Sequence, residues 1–230
     1  MPDPIAPTPL WRAAGAFALA HVLLFVTASA ITGQPTVHDG QAGIEHSFND
    51  GDLTRLMTAG YLTVVGFLVV VPVVVFLAQQ LGRRTAVGCW SARTGAAAGV
   101  AYVVVIVGAG FSAGAAALWG RDQGLDLETV LAVNNIRNFS YFLALPLAGA
   151  FAIGTGVAAL QDRLLTRWVG WGGVGVGTAL VLAIPAAATG IQYGMPLWLV
   201  WWVGVAVTLM RHRGDAATAE DRLAAPAGVR

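Results

Sequence analysis

Two short stretches of this sequence hold side chains that could do chemistry, and a third candidate stands alone. In the first stretch His38, Asp39, Glu45, His46, Asp50 and Asp52 fall close together. Imidazole nitrogen and carboxylate oxygen both ligate zinc and similar ions, so His38, Asp39, Glu45 and His46 form a set competent for a divalent metal. The spacing matches neither H-E-x-x-H nor a zinc ribbon. The competing reading is a solvated acidic loop in which Asp50 or Asp52 caps the following helix.

The second stretch is Asn134-Asn135-Ile136-Arg137-Asn138-Phe139-Ser140-Tyr141. On a helix begun early, with Asp126 as N-cap and Glu128 in the first turn, Asn134, Asn138 and Tyr141 share one face, with Arg137 one turn from Asn134. That makes a polar stripe with a guanidinium for an anionic group. The bland alternative is an interfacial helix anchored by Arg and Tyr. The lone residue is His21, set within an apolar run. An ionisable group there is a ligand-binding candidate by default, although a neutral His bonded to a neighbouring helix is the simpler explanation. Haem b is disfavoured, because it needs facing axial ligands and no second His falls at that depth.

The elements that must position these residues are apolar helices. Of 230 residues, 57% are hydrophobic and 11% charged, against about 25% charged in a soluble domain. Six runs lack Asp, Glu and Arg: Ala13–Thr32, Leu56–Ala78, Thr94–Trp119, Phe139–Leu160, Val169–Gly190 and Gly194–Met210. Each is near the length of about 17–25 residues that spans hydrocarbon as a helix. None alternates every second residue as barrel strands do. The expected fold is an all-α membrane protein, a bundle of six transmembrane helices over 13–213. It is preceded by an irregular Pro-rich segment (1–12) and followed by a small, polar, disordered tail (214–230).

Arginine sets the expected orientation. Arg83, Arg84 and Arg93 fall between the second and third runs with no acid, and Arg163, Arg167, Arg211 and Arg213 follow the fourth and sixth. The intervening segments hold Asp39, Glu45, Asp50 and Asp52 against Arg55, and Asp122, Asp126 and Glu128 against Arg121 and Arg137. Arg-rich loops are cytoplasmic, which puts both termini inside and both polar clusters outside. Trp11, Trp90, Trp168 and Trp171 would then sit at the inner boundary, Trp119 and Trp198 at the outer. Ala28-Ser29-Ala30 imitates a signal cleavage site, but the apolar stretch before it exceeds a signal core, so a retained helix is expected. All 13 basic residues are Arg, which with the Ala, Gly and Val content reads as a GC-rich bacterial coding bias and a cell (inner) membrane location.

Several functions are disfavoured. With Cys89 the sole cysteine, intramolecular disulfides and Cys-cluster metals are out of reach. No span carries the acids and bases of an ion-coupled carrier, no phosphate-binding or nucleophile-elbow motif occurs, and a net charge of +1 gives no field for nucleic acid. The expected partners are the lipid bilayer and another membrane protein or a small amphiphilic ligand. The leading expectation is a non-catalytic bundle with a polar outer mouth: a partner-binding protein or a facilitator for a small ligand. The alternative is a membrane-embedded enzyme whose extracytoplasmic site joins the His/carboxylate set to Asn134, Arg137 and Asn138.

The topology is checked by thiol labelling: cysteines placed at Gly40 and Gly124 react with an impermeant reagent in intact cells and native Cys89 does not. Labelling of Cys89 alone would invert the orientation.

Overall fold

The computed structural model describes residues 7–32, 45–46, 52–187 and 194–212, with the side chains of 32 and 184–187 excepted. His38, Asp39, the tail 214–230 and the end of the fifth apolar run (188–190) lie outside the described residues. The described backbone is helical, with no strand: α1 Thr8–Thr32, α2 Leu53–Gln80, α3 Ala86–Asp122, α4 Leu127–Asp162, α5 Arg167–Ala187 and α6 Gly194–Arg211. Among these, α1, α2, α3, α4 and α6 are long and apolar enough to cross a membrane, which makes this a multi-pass helical membrane protein. The helix α5 adds 21 residues.

Three helices begin more than one turn before the apolar runs, each for a local reason. α1 starts at Thr8, not after residue 12. Pro9 is tolerated in the first turn, where its missing N–H has no helical partner, and Trp11 is buried, stacked on His212 at 3.9 Å. α3 starts at Ala86 because the Thr85 hydroxyl accepts the Gly88 N–H at 3.0 Å, so Arg93 stands on a helix and not in a loop. α4 starts at Leu127, capped by Asp126, so most of the expected outer loop is helix. The second helix is capped by Asp52, which accepts the Arg55 N–H at 3.2 Å. Proline acts differently in each helix. α2 is interrupted at Val69, where Pro72 lacks the N–H for the Leu68 carbonyl. α4 continues through Pro146.

Each helix packs on its chain neighbours and α6 closes the ring on α1. In lipid, apolar side chains gain little by leaving hydrocarbon, so close backbone approach and dispersion decide which helices pair. α4 supplies that approach on two faces. Against α3, Gly154 meets Gly95, where an added Cβ would stand 2.7 Å from the Gly95 Cα. Against α5, Gly149 meets Gly177, and Gly156 meets Gly170 and Gly173.

The ring's interior is filled by aromatic side chains. Phe67, Tyr102, Phe151, Trp198, Trp201 and Trp202 are all buried. Trp198 lies 5.5 Å from Tyr102 and 6.1 Å from Phe151, edge-on to both. Trp11 and Trp198 are therefore core residues, not boundary anchors: each is almost fully enclosed by neighbouring helices. Trp90, Trp119, Trp168 and Trp171 remain exposed on the outside of the bundle.

The ends of the bundle differ in charge. One end carries Arg12, Arg83, Arg84, Arg163, Arg167 and Arg211 with Asp162, the other Asp52, Asp122, Asp126 and Glu128 with Arg55, Arg121 and Arg137. At the Arg-rich end the fully buried Asp162 carboxylate accepts the backbone N–H groups of Arg83 (2.9 Å) and Arg84 (3.2 Å). Asp162 thus ties the α2–α3 turn to the end of α4. That turn needs Gly82, whose φ of 78° is left-handed and whose Cβ would strike the Gly88 carbonyl.

The glycine contacts carry a paired prediction. Gly177→Ala drives a Cβ to 2.5 Å from the Gly149 carbonyl, whereas Gly175 on the same helix faces open space. Gly177→Ala is expected to cost about 1–3 kcal/mol, and Gly175→Ala nothing, read as thermal midpoints in detergent. Equal midpoints would remove the α4–α5 approach as an organising contact.

Candidate functional site

The polar stripe is positioned by the start of α4. The Asp126 carboxyl accepts the Thr129 N–H at 2.9 Å and its hydroxyl at 2.7 Å. These bonds, the backbone one foremost, hold the Asp126 carboxyl below the ordinary carboxylate range. Glu128 adds negative charge to the first turn, where the helix dipole favours it.

From that cap the stripe runs inward. Asn134 is 1% exposed, Arg137, Asn138 and Tyr141 are half-buried, and Asn135, Ile136 and Phe139 are exposed. Asn134 is turned into the bundle, Ile136 and Phe139 lie outward as a lipid environment requires, and Asn135 is exposed beside them. Arg137 lies along α3 at Gly114, where an added Cβ would stand 2.8 Å from its Cδ. The missing side chain at Gly114 is what admits the guanidinium stem. One turn deeper, Tyr141 and Tyr102 line a small cavity with Ala148, Leu180, Met195 and Trp198, about 10 Å³ in volume. That is about the room one water needs. The facing part of α3, Val105–Phe111, is π-helical, a form concentrated at functional sites. Its Gly110 approaches Ser140 of α4 at 3.8 Å from an added Cβ.

Asn134 stands out chemically. Its amide oxygen is buried and accepts no hydrogen bond among the described residues. Leaving such an acceptor unmet costs about 1–3 kcal/mol.

His21 lies elsewhere, on the buried face of α1. Its Nδ1 is 2.8 Å from the Gly66 carbonyl of α2. A carbonyl only accepts, so Nδ1 donates, and in the neutral ring Nε2 keeps the lone pair. Nε2 has no partner among the described residues, and neither does the Nε1–H of Trp198 or Trp202. Phe67 and Trp202 flank the imidazole at 5.3 and 5.6 Å. His21 therefore bridges α1 to α2 inside the aromatic core and is no member of the Asn134 stripe.

Of the His/carboxylate set, Glu45 is half-buried and His46 exposed, both in helical backbone, while His38 and Asp39 lie outside the described residues. Among the described residues no three His, Cys, Asp or Glu side chains gather as a metal site would need.

The Arg-rich end holds a feature that charge counting alone does not reveal. Arg83, Arg84 and Arg93 border an open groove of about 820 Å³ between α2 and α3. The local signal in the sequence is Gly82, whose left-handed backbone turns the chain between the two helices that wall the groove.

No family model, characterised protein or solved structure matches this chain, so the reading of its site rests on its own geometry.

The unmet amide predicts its own mutant. Asn134→Leu removes a buried acceptor and keeps the volume, so the thermal midpoint in ligand-free detergent is expected to hold or rise, by about 2–4 °C per kcal/mol recovered. A fall of that size would make Asn134 a structural bond-former.

Proposed function

We propose that this protein is a non-catalytic membrane bundle that binds a small amphiphilic ligand at its acidic, outer end, as a facilitator or as a partner protein's accessory. The observation that carries the reading is the inward stripe of Asn134, Arg137, Asn138 and Tyr141, with an unmet amide oxygen and a guanidinium stem held against Gly114. An acidic head would pair with Arg137 and accept hydrogen bonds from the N–H and O–H donors of the stripe, a hydroxyl or water beside it would donate to the Asn134 amide oxygen, and the ligand's apolar portion would lie along the bundle against Tyr141. Buried rings of Trp198, Trp201, Trp202 and Phe151 across the middle of the bundle favour holding a ligand over conducting ions.

The same reading takes six crossings, with α5 as the fifth, both termini cytoplasmic, and an inner-membrane location. Its support is the collection of Arg12, Arg83, Arg84, Arg163, Arg167 and Arg211 at one end, as the positive-inside rule requires. The enzyme alternative rests on the composition of the His38–His46 segment. It expects stoichiometric divalent metal in protein purified without chelators, and the bundle expects none.

Octanoate and octanol serve as probes. Octanoate is expected to raise the thermal midpoint of the detergent-solubilised protein and octanol to do so far less, because only the acid engages Arg137. Arg137→Gln should abolish the difference, and Asn134→Leu should leave the unliganded protein at least as stable. Equal responses to both probes in the wild type would remove the outer stripe as a binding site.

A further inference from the structure

The geometry points to a second, separate binding site: the groove between α2 and α3 at the Arg-rich end takes one anionic phospholipid from the adjoining leaflet. Its phosphate would lie on Arg84 and Arg93 and one acyl chain between the helices.

The groove has two unlike parts. Its mouth is bordered by Arg83, Arg84 and Arg93, with no Asp or Glu among the lining residues described. Arg83 is committed, its Nε donating to the Gln79 carbonyl at 2.8 Å. The Arg84 and Arg93 side chains are exposed and meet no described acid. The nearby acid, Asp162, is fully buried with its oxygens on the Arg83 and Arg84 backbone, so it shapes the mouth and does not occupy it. The α3 N-terminus, capped by Thr85, opens on the same mouth and adds a dipole that favours an anion.

Below the mouth the walls are apolar and small. Val75 and Ala78 of α2 face Ala96, Ala97 and Val100 of α3. From Arg93 to Val100 this wall descends about 10 Å at the rise of an α-helix, the length of a short stretch of acyl chain. A site of about 300–1,000 Å³ is ordinary for a bound small molecule, and this groove, at about 820 Å³, falls within that range.

Charge and shape together select the occupant. A soluble anion would use the mouth and leave the apolar walls open. A second copy of this chain, related by a two-fold axis, would bring its own Arg84 and Arg93 against these. An anionic phospholipid satisfies both parts at once.

The test uses the full chain in nanodiscs of phosphatidylglycerol or phosphatidylcholine, with native mass spectrometry of lipid retained on release. The single cysteine, Cys89, lines the groove and reports occupancy in the unaltered protein through its rate of maleimide modification. Phosphatidylglycerol is expected to be retained preferentially and to slow Cys89 modification relative to phosphatidylcholine. Arg84→Gln with Arg93→Gln should erase the preference, roughly fivefold for each guanidinium removed, and Ala97→Trp should expel the chain without changing the charge. Equal retention of the two lipids, or a preference that survives Arg84→Gln/Arg93→Gln, overturns the proposal. So does Cys89 protection by inorganic phosphate alone, or a lipid-free dimer with Cys89 protected. Neither Arg84 nor Arg93 belongs to the outer stripe, so this result stands or falls independently of the octanoate response.

Discussion

The approach of α4 to its two neighbours is the contact on which the remaining structure depends. Helices in lipid are not pressed together by water, so their association relies on how closely their surfaces fit. Gly154 on one face, and Gly149 and Gly156 on another, let α3 and α5 come to backbone contact with the same helix. Once α4 is seated, the positions between those glycines have only one way to face. Phe151 is directed to the middle, stacked on Trp202 at 5.8 Å and edge-on to Trp201 at 5.9 Å. The α6 tryptophans fill the ring against it, and α1 closes behind them, with Gly15 admitting Met210 of α6.

The aromatic interior follows from that geometry, and His21 belongs to it. Its imidazole is a ring among rings, edge-on to Phe67 and Trp202, and Gly66 supplies the carbonyl because its bare backbone lets α1 come close. Aromatic pairs at such separations add about 0.5–1.5 kcal/mol each beyond the area they bury. A connected set spanning α1, α2, α3, α4 and α6 therefore fixes the relative rotation of the helices about their axes, which backbone contact alone does not.

The sequence made the helical class legible because the absence of Asp, Glu and Arg over long runs has one physical meaning. It also carried the inward stripe, conditional on an early start at Asp126, since three polar positions on one helical face cannot all point at lipid. Helix ends were less legible. Arg93 looked like a loop residue because it is polar and precedes the apolar run, yet Thr85 caps the chain well before it. Trp11 and Trp198 resembled boundary anchors by position, and only the packing of α6 against α1 and α4 shows them buried. Gly149, Gly154 and Gly156 were illegible as contacts: in so glycine-rich a chain, spacing does not say which glycine meets a backbone and which, like Gly175, meets none. Asp162 sits among arginines at a helix end, and nothing local announced that its oxygens serve two amides about eighty residues back.

The two halves of α4 are held in different ways, and this difference is where structure meets function. Toward Asp162 the helix is seated by glycine contacts and pinned by its terminal carboxylate. Toward Asp126 its neighbour on α3 is the π-helical segment, whose buried Gly110 would bring an added Cβ no closer than 3.8 Å to Ser140 and the Val105 carbonyl. A π-turn carries a wider ring and weaker local geometry than the α-helix around it. Rearrangement of α3 against α4 therefore requires the least disruption at the acidic end, beside Arg137 and Tyr141. At the Arg-rich end the fixed element is the α2–α3 turn, and there the structure offers a rigid mouth. A ligand at the proposed stripe site would meet a surface able to adjust, whereas a lipid in the proposed groove site would meet a preformed one.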